Sequence, residues 1–336
     1  MNKSNSKIRV CLVGCGVISA NHISALLEDD GIEITALCDI KPNKANARAE
    51  KYGISPRIYT SFYEMLENEN PYSVHICTPH HLHTPMALEC LKRNINVFLE
   101  KPIGINDDEI DMLIKAETYS SAKVCVCFQN RFNASVQVAK SILDEDGGAT
   151  EAYGSLFWQR GEKYYTDSDW RGFYDTEGGG VMINQAIHTI DLLCFFLGIP
   201  KKVSAVTANH HLKGIIEVED SCGGRIEFDN GKIANFYATT ACEGVDSYVI
   251  LLKSNNHRIE IMSPTRIYVD GARIDLKSPE KYVSKECYGD GHFKIIKDFY
   301  KSLRCDIKVP VSLEEAKHAL KVVLSSYRSN GAEILL

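Results

Sequence analysis

A strand pattern that leads directly into closely spaced glycines is the strongest constraint on the fold of this chain. Residues 8–13 are apolar and β-rich, Gly14 and Gly16 follow at once, and a helical pattern covers 20–27. Gly14 allows a tight turn, and Gly16 lets the backbone approach a pyrophosphate, whose charge the helix N-terminus favours. Ser19 replaces the third glycine of the pattern and is small enough for close packing. The segment predicts a dinucleotide-binding turn. Its expected cofactor contacts are Gly14, Gly16, Val17 and Ile18.

Buried strand patterns alternate with helical patterns up to residue 128. The further strand patterns are 33–38, 73–77, 97–99 and 123–128, and the further helical patterns are 44–52, 85–93 and 107–120. This alternation predicts a doubly wound parallel sheet.

A carboxylate at the end of the second strand pattern bears on the choice of cofactor. Asp39 stands where a carboxylate can accept hydrogen bonds from both ribose hydroxyls and would repel a 2'-phosphate. We therefore expect NAD to be preferred, while the nearby Lys41 leaves NADP possible. Asp39 can also begin the turn formed with Ile40, Lys41 and Pro42, and the two roles are compatible.

Polar residues directly follow two other strand patterns, at the edge where an open parallel sheet binds ligands. Thr78 to His83 is expected to lie over the cofactor, and Glu100-Lys101-Pro102 places an ammonium beside a proline-fixed backbone. A solvated turn is the alternative for the second segment. The three histidines of the first segment suggest a metal, but no further His or Glu stands at helical spacing, so we predict no metal site.

The second half of the chain has a different texture. One helical pattern over 134–144 is followed by many strand patterns separated by turns such as Asp229-Asn230-Gly231. The strand patterns are 153–159, 202–208, 221–228, 232–240, 248–253, 258–262 and 265–269. This half is predicted to be a mainly antiparallel open sheet that can leave one face free for another subunit. We expect two domains, 1–128 and 129–336, and the C-terminal helix can pack back on the first.

One helix of the second half carries a polar stripe. Asn184, His188 and Asp191 are spaced to share one face of a helix over 181–193, whose other positions are apolar. A histidine there is either a satisfied core residue or a catalytic one. The three glycines 178–180 would let a ligand approach the backbone and favour the catalytic interpretation. His292, at the start of a late helix, is a weaker candidate.

Composition narrows the class of protein. The chain has 336 residues, a net charge of -6 and 44% hydrophobic residues, as in ordinary soluble proteins. Lysines are scattered, so a nucleic-acid partner is not expected. The polar start and the absence of a long apolar run predict a cytoplasmic protein without membrane contact. The cysteines lie mostly in strand patterns and indicate buried thiols in a reducing compartment.

Taken in order, these segments resemble the glucose-fructose oxidoreductase/inositol dehydrogenase (Gfo/Idh/MocA) family over almost the whole chain. The markers are Val13 to Gly16, Cys38-Asp39, Thr78-Pro79 with His83, Glu100-Lys101-Pro102, Trp170-Arg171, and Gly178 to Asp191. The resemblance implies a Rossmann domain with an α+β domain, hydride transfer between NAD(P) and a hydroxyl-bearing carbon of a sugar, nucleotide sugar or cyclitol, and homodimers or homotetramers.

The resemblance also implies roles for individual residues. Lys101 would hydrogen-bond the reacting hydroxyl, and His188 would be the general base, or the acid in reverse. The remaining expected cofactor contacts are Thr78, Pro79, His80, His83, Glu100, Lys101, Gln129, Trp170 and Arg171. The expected substrate contacts are Lys101, Arg131, Tyr165, Asn184 and His188. Two positions depart from the family pattern, because Asn184 replaces an aspartate and His80 an asparagine.

Two other functions remain possible at this stage. A glycosidase of the same architecture would reduce and regenerate NAD within each cycle, and a cofactor-binding sensor would do no chemistry. Release of an aryl leaving group at catalytic NAD would identify the first, while an intact Lys101 and His188 argue against the second.

Overall fold

A six-stranded parallel sheet forms the first half of the chain. The computed structural model describes residues 7–244, 246–277, 283 and 288–336. The strands are β1 (Ile8–Val13), β2 (Ile32–Cys38), β3 (Arg57–Tyr59), β4 (Ser73–Ile76), β5 (Asn96–Leu99) and β6 (Val124–Val126). They lie in the order β3-β2-β1-β4-β5-β6, and every neighbouring pair is parallel. The strand order switches direction at β1 and β4, so a crevice opens at their carboxyl ends.

Helices connect these strands, and capping residues in the sequence mark where two of them begin or end. They are α1 (Ser19–Leu27), α2 (Pro42–Tyr52), α3 (Phe62–Glu69), α4 (His83–Lys92) and α5 (Asp107–Thr118). Helix α2 begins with Pro42, and Gly53, directly after its last residue, caps its end with a φ of 62°. Asn106 caps α5 by accepting a hydrogen bond from the amide of Glu109 at 3.0 Å.

A nine-stranded sheet forms the second half. Its strands are β7 (Glu151–Phe157), β8 (Pro200–Ala208), β9 (Ser221–Phe228), β10 (Ile233–Thr239), β11 (Ser247–Lys253), β12 (Arg258–Ser263), β13 (Arg266–Val269), β14 (Ala272–Asp275) and β15 (Ile334–Leu335). The order is β14-β13-β12-β11-β7-β10-β9-β8-β15. The pair β7 and β10 is parallel, and the other pairs are antiparallel.

Helices cover one face of this sheet and link it to the first half. They are α6 (Ala134–Glu145), α7 (Glu162–Thr166), α8 (Tyr174–Glu177), α9 (Ile187–Leu197), α10 (Gly291–Cys305) and α11 (Leu313–Ser329). Helix α11 begins with a capping box between Ser312 and Glu315 and packs on α9 and β8. Helix α10 packs on α1, and its Tyr300 hydroxyl reaches Ser73 on β4 at 2.8 Å. One continuous core therefore spans both sheets.

The predicted fold class, a parallel Rossmann-type sheet with a mainly antiparallel second sheet, is confirmed. The division at residue 128 stays a prediction. Strands β3 and β14 and helix α3 were not predicted. One apolar stretch was not predicted. Among the described residues, Tyr174–Leu197 is long and apolar enough to cross a membrane. However, 83% of its most apolar window is buried inside the structure. It packs as a core helix.

Candidate active site

A cleft of about 660 Å³ lies at the carboxyl ends of the parallel strands and is closed by residues of the second half. Nearly all the residues that the sequence predicted as site residues line it. They are Gly14, Gly16, Val17, Ile18, Asp39, Thr78, Pro79, His80, His83, Glu100, Lys101, Gln129, Trp170, Arg171, Asn184 and His188. Arg131 and Tyr165 lie outside this lining.

The glycine turn after β1 has the geometry that a dinucleotide requires. Gly14 adopts a φ of +89°, and a Cβ there would lie 2.4 Å from the carbonyl oxygen of Cys77. A Cβ on Gly16 would meet no atom within 4 Å, so the backbone is open to a ligand at this point. The Asp39 carboxylate accepts hydrogen bonds from the amides of Cys15 at 2.9 Å and Lys41 at 2.8 Å. The turn, the helix end and this fixed carboxylate fit an NAD molecule.

Histidines 80, 81 and 83 bind carbonyl oxygens. His80 Nδ1 lies 2.8 Å from the carbonyl oxygen of Glu177, and His81 Nδ1 lies 3.1 Å from that of Thr176. His83 bridges the carbonyl oxygens of Pro102 at 2.7 Å and Thr78 at 2.9 Å. These contacts hold the cleft-lining segment to α8 and to the loop after β5.

Lys101 crosses from the first half to the second. Its ammonium donates to the backbone oxygen of Asn184 at 2.7 Å and approaches Asn184 Oδ1 at 3.5 Å. Burial lowers the pKa of Lys101, and the carboxylates of Glu100 and Glu177 oppose that shift. Lys101 is thus a cation held at the junction of the two sheets, facing the cleft.

His188 also lines the cleft, four residues after Asn184. Its Nδ1 has no hydrogen-bond partner among the described residues, and its ring packs edge-on against Phe128. Burial, reinforced by the charge of Lys101, lowers the pKa of His188 to about 3. His188 is therefore neutral at physiological pH and able to accept a proton. His292, 2% exposed, also faces the cleft with both ring nitrogens unpartnered within the described ranges.

Behind Lys101, Glu100 ends a buried chain of hydrogen bonds. His22 Nε2 lies 2.9 Å from Glu100, His22 Nδ1 lies 2.8 Å from His75 Nδ1, and His75 Nε2 lies 2.9 Å from the Tyr300 hydroxyl. With neutral rings every group is satisfied if Tyr300 donates to His75, His75 to His22, and His22 to the carboxylate. Burial raises the pKa of Glu100, but the hydrogen bond from His22 and the nearby His292 and Lys101 outweigh burial and hold it well below its usual range.

This chain of hydrogen bonds joins residues that lie far apart in the sequence, so no spacing rule could reveal it. The network also contains a set of possible metal ligands. Within the described ranges, one ligand atom each from His22, Glu100 and Cys127 lie within 4.8 Å of one another. Both ring nitrogens of His22 already have partners there. We therefore interpret the group as a hydrogen-bond network that fixes Glu100.

Aromatic rings and guanidinium groups line the end of the cleft beyond Lys101. The Arg171 guanidinium lies over the rings of Tyr164 at 4.4 Å and Trp170 at 4.8 Å. The Arg160 guanidinium also lies over the Tyr164 ring, at 5.1 Å, and over the Trp158 ring, at 4.8 Å. Sequence analysis did not single out Arg160 or Trp158, because only the fold brings β7 next to this loop.

Two residues predicted as substrate contacts have other roles in the structure. Arg131, 7% exposed, forms a bidentate ion pair with Asp191 at 2.9 and 2.6 Å. Tyr165 is 4% exposed and packs with Leu212 and Ile216, while its neighbour Tyr164 faces the cleft. Side-chain direction in a short helix decides which of two adjacent tyrosines reaches the ligand space.

The interpretation of the triple glycine as a ligand-approach site is wrong. A Cβ on Gly180 would lie 1.9 Å from the carbonyl oxygen of Glu219, and one on Gly179 would lie 2.0 Å from the Tyr327 hydroxyl. The glycines are needed because the chain itself packs there. The segment Met182–Ala186 that follows is a π-helical turn, with Glu219 accepting the amides of Gly180 and Met182.

The three polar residues of the predicted stripe do not all face the cleft. Asn184 and His188 both line the cleft, whereas Asp191 is buried against Arg131. The predicted single stripe of three residues is therefore divided between the cleft and the core.

Comparison with known proteins agrees with this geometry. Residues 8–128 match the model of an oxidoreductase family with an NAD-binding Rossmann fold, and residues 116–262 match the GFO/IDH/MocA C-terminal domain. The crystal structure of the WlbA dehydrogenase from Bordetella pertussis, in complex with NADH and UDP-GlcNAcA, has a TM-score of 0.85 and 28% sequence identity and covers 98% of this chain and 99% of its own.

Two curated relatives are also similar. Myo-inositol 2-dehydrogenase of Thermotoga maritima is 23% identical over 333 residues, 96% of each chain. D-glucoside 3-dehydrogenase of Escherichia coli (strain K12) is 27% identical over 248 residues, 68% of this chain and 69% of its own.

The chain belongs to the GFO/IDH/MocA family of oxidoreductases. It is an NAD-binding dehydrogenase that acts on hydroxyl-bearing carbons.

Proposed function

We propose that this chain oxidises or forms a hydroxyl on the sugar of a nucleotide sugar, with Lys101 and His188 as its catalytic residues. The observation that carries the proposal is their placement. A partly buried ammonium and a neutral imidazole, whose Nδ1 has no hydrogen-bond partner among the described residues, come from different halves of the chain and face the same cleft. A dehydrogenase needs a cation that stabilises the developing alkoxide and a base that accepts its proton.

The far end of the cleft supports a nucleotide sugar over a free sugar. Arg160 and Arg171 place two guanidinium groups around Tyr164, and the rings of Trp158 and Trp170 lie nearby. Guanidinium groups suit phosphates, and aromatic rings suit a base. The WlbA dehydrogenase, at 28% identity, was crystallised with a UDP-sugar. Arg160 also lies 3.8 Å from the carboxylate of Asp246 at this end of the cleft.

The chain's own groups perform the proton chemistry. NAD bound by the Gly14 turn and Asp39 would accept the hydride from the hydroxyl-bearing carbon. Lys101 donates a hydrogen bond to the hydroxyl oxygen and stabilises negative charge there as the proton departs. His188 takes that proton. Because burial penalises the protonated ring, the imidazole is unprotonated before the reaction.

We propose NAD rather than NADP as the preferred cofactor. Both oxygens of Asp39 are fixed by backbone amides at the end of β2, where a 2'-phosphate would meet the carboxylate. The nearest competing cation, Lys41, is paired with Asp169 at 3.0 Å. Asp39→Ala should weaken NAD binding and narrow the preference over NADP, as measured by titration with each cofactor.

We also propose a cytoplasmic homodimer or homotetramer built on the second sheet. Helices α6, α9 and α11 cover one face of that sheet. On its strands Val206 is 56% and Tyr237 is 39% exposed. Light scattering of the purified chain tests this assembly, and Tyr237→Lys should shift it toward monomer.

The direct test of the proposed function is reduction of NAD, followed by near-ultraviolet absorbance, against free hexoses, myo-inositol and UDP-sugars, including UDP-N-acetylglucosaminuronate. We expect turnover with UDP-sugars, and Arg160→Ala should raise KM for them while kcat changes little. Turnover with myo-inositol or hexoses alone would overturn the nucleotide-sugar assignment.

A further inference from the structure

A carboxylate that the family pattern leads one to expect beside the catalytic histidine is absent from its usual place. The residue four positions before His188 is Asn184, which carries no charge. Lys101 nevertheless points at this residue, with its ammonium 2.7 Å from the backbone oxygen and 3.5 Å from the side-chain oxygen. An amide that accepts from Lys101 through its oxygen has its nitrogen free to donate elsewhere.

The Asn184 nitrogen donates to a carboxylate that comes from another element. Its partner is Glu177 Oε1 at the end of α8, and Glu177 Oε2 accepts the amide of Gly172 at 2.6 Å. Glu177 is 1% exposed. In its ionised form the Glu177 carboxylate only accepts, so it then fixes the Asn184 amide with its nitrogen toward Glu177 and its oxygen toward Lys101.

We propose that Glu177 is a positioning residue that supplies, through the Asn184 amide, the negative charge that an aspartate at position 184 would provide to Lys101. The inference rests on the proposed catalytic role of Lys101. It assigns to Glu177 two tasks: holding the Asn184 amide in one orientation, and keeping Lys101 protonated in a buried site. Glu177 itself touches neither the cofactor space nor the substrate space, since it is absent from the lining of the cleft.

The charged and titratable groups that face Glu177 come from several elements. Arg171 and Lys101 are the cations, Glu219 is the nearby carboxyl, and Tyr164 and Tyr165 are the phenols. Burial raises the pKa of Glu177 to about 7, although Gly172, Asn184 and Arg171 oppose the shift. Glu177 therefore changes charge in the physiological range, whereas His188 does not, because burial keeps its pKa at about 3.

The sign of the effect on Lys101 follows from this charge. When Glu177 is ionised it favours the ammonium form, so the pKa of Lys101 is higher above pH 7 than below it. Glu177→Gln removes the charge at every pH and keeps the size of the side chain. We expect it to lower the pKa of Lys101, and thus to raise the fraction of reactive amine about tenfold at a given pH.

Competitive acetylation measures the change in the pKa of Lys101 without any substrate. The full-length chain is treated with acetic anhydride across a pH series, and mass spectrometry gives the modification rate of Lys101 relative to surface lysines. The Glu177→Gln profile should lie at lower pH than the wild-type profile. The double variant Glu177→Gln/Asn184→Asp, which returns a carboxylate to position 184, should recover most of the shift.

Glu219→Gln is the matched control. Glu219 is also a buried carboxyl, and burial raises its pKa to about 7, but its partners are Gly180, Met182 and Tyr327. Because Glu219 acts on Lys101 only through Glu177, this control should shift the Lys101 profile much less than Glu177→Gln does. A shift as large as that of Glu177→Gln would show a general effect of buried charge and overturn the proposal, as would superimposable Glu177→Gln and wild-type profiles.

The wild-type chain provides a second measurement if Glu177→Gln does not fold. Ionisation of Glu177 should reduce the slope of log rate against pH near pH 7, and an unbroken slope would contradict the proposal. The acetylation experiment and the turnover experiment can also contradict their two proposals independently. If Lys101→Ala retains turnover while the acetylation shift is present, the proposed function is wrong and the positioning by Glu177 stands.

Discussion

At the scale of single residues, the site keeps two basic groups in opposite protonation states within one cleft. Lys101 keeps its proton because Glu100 and Glu177 offset part of the effect of burial. His188 loses its proton because burial and Lys101 act in the same direction. A protonated donor and an unprotonated acceptor that line one cleft are what a hydroxyl oxidation requires.

Lys101→Ala and His188→Ala should each lower kcat by about 100- to 10,000-fold, because each removes one group of the proton-transfer pair. NAD binding, followed by titration of tryptophan fluorescence, should persist in both variants, since the cofactor turn is untouched. Near-normal turnover in both would contradict the assignment.

The pH dependence of turnover should identify Lys101. Its pKa is lowered from 10.5, and the ammonium is the active form, so activity should fall as pH rises through that lowered pKa. Lys101→Arg keeps the charge to much higher pH, so its residual activity should lack this decline. A decline at the same pH in the arginine variant would point to a different group.

At the scale of elements, two glycines of the first turn have separable tasks. Gly14→Ala introduces a Cβ 2.4 Å from the Cys77 carbonyl oxygen at a φ of +89°, so it should destabilise the free chain by more than about 1 kcal/mol. Gly16→Ala meets no protein atom within 4 Å and should leave Tm unchanged while NAD binding weakens. Calorimetry of both variants with and without NAD checks this, and equal losses of Tm in the free chain would contradict it.

The ion pair between Arg131 and Asp191 links the crossover segment after β6 to α9. Arg131→Met should cost about 3–5 kcal/mol of unfolding free energy, because it leaves a buried carboxylate unpaired. Arg131→Met/Asp191→Leu should recover most of that loss in denaturant titrations. If the double variant is stable but has a raised KM, Arg131 binds substrate after all.

Local pattern was enough to predict the elements that carry the cofactor turn, Asp39, Lys101 and His188. It failed where a distant residue decides the conformation. The π-turn before α9 depends on Glu219, which follows in sequence only after β8, and the glycines before it are packed by Tyr327 of α11. His188 and Asp191 are three residues apart within α9, and this angular offset is enough for one to line the cleft and the other to reach the core.

At the scale of the whole molecule, the site exists only where the two sheets meet. Lys101 follows β5 of the parallel sheet, and its hydrogen-bond partner Asn184 precedes α9 of the second half. His80 and His81 bind α8 across the same cleft, while α10 returns to pack on α1. These long-range contacts bring the ammonium and the imidazole to one cleft, and sequence spacing carries no record of them.

The measurement that tests the central claim most directly is a single-turnover assay with UDP-N-acetylglucosaminuronate deuterated at each ring carbon in turn. Wild-type chain with NAD should produce deuterated NADH from one labelled position, and Lys101→Ala and His188→Ala should produce it far more slowly. Unlabelled NADH from every substrate, or equal rates in all three proteins, would contradict hydride transfer supported by Lys101 and His188.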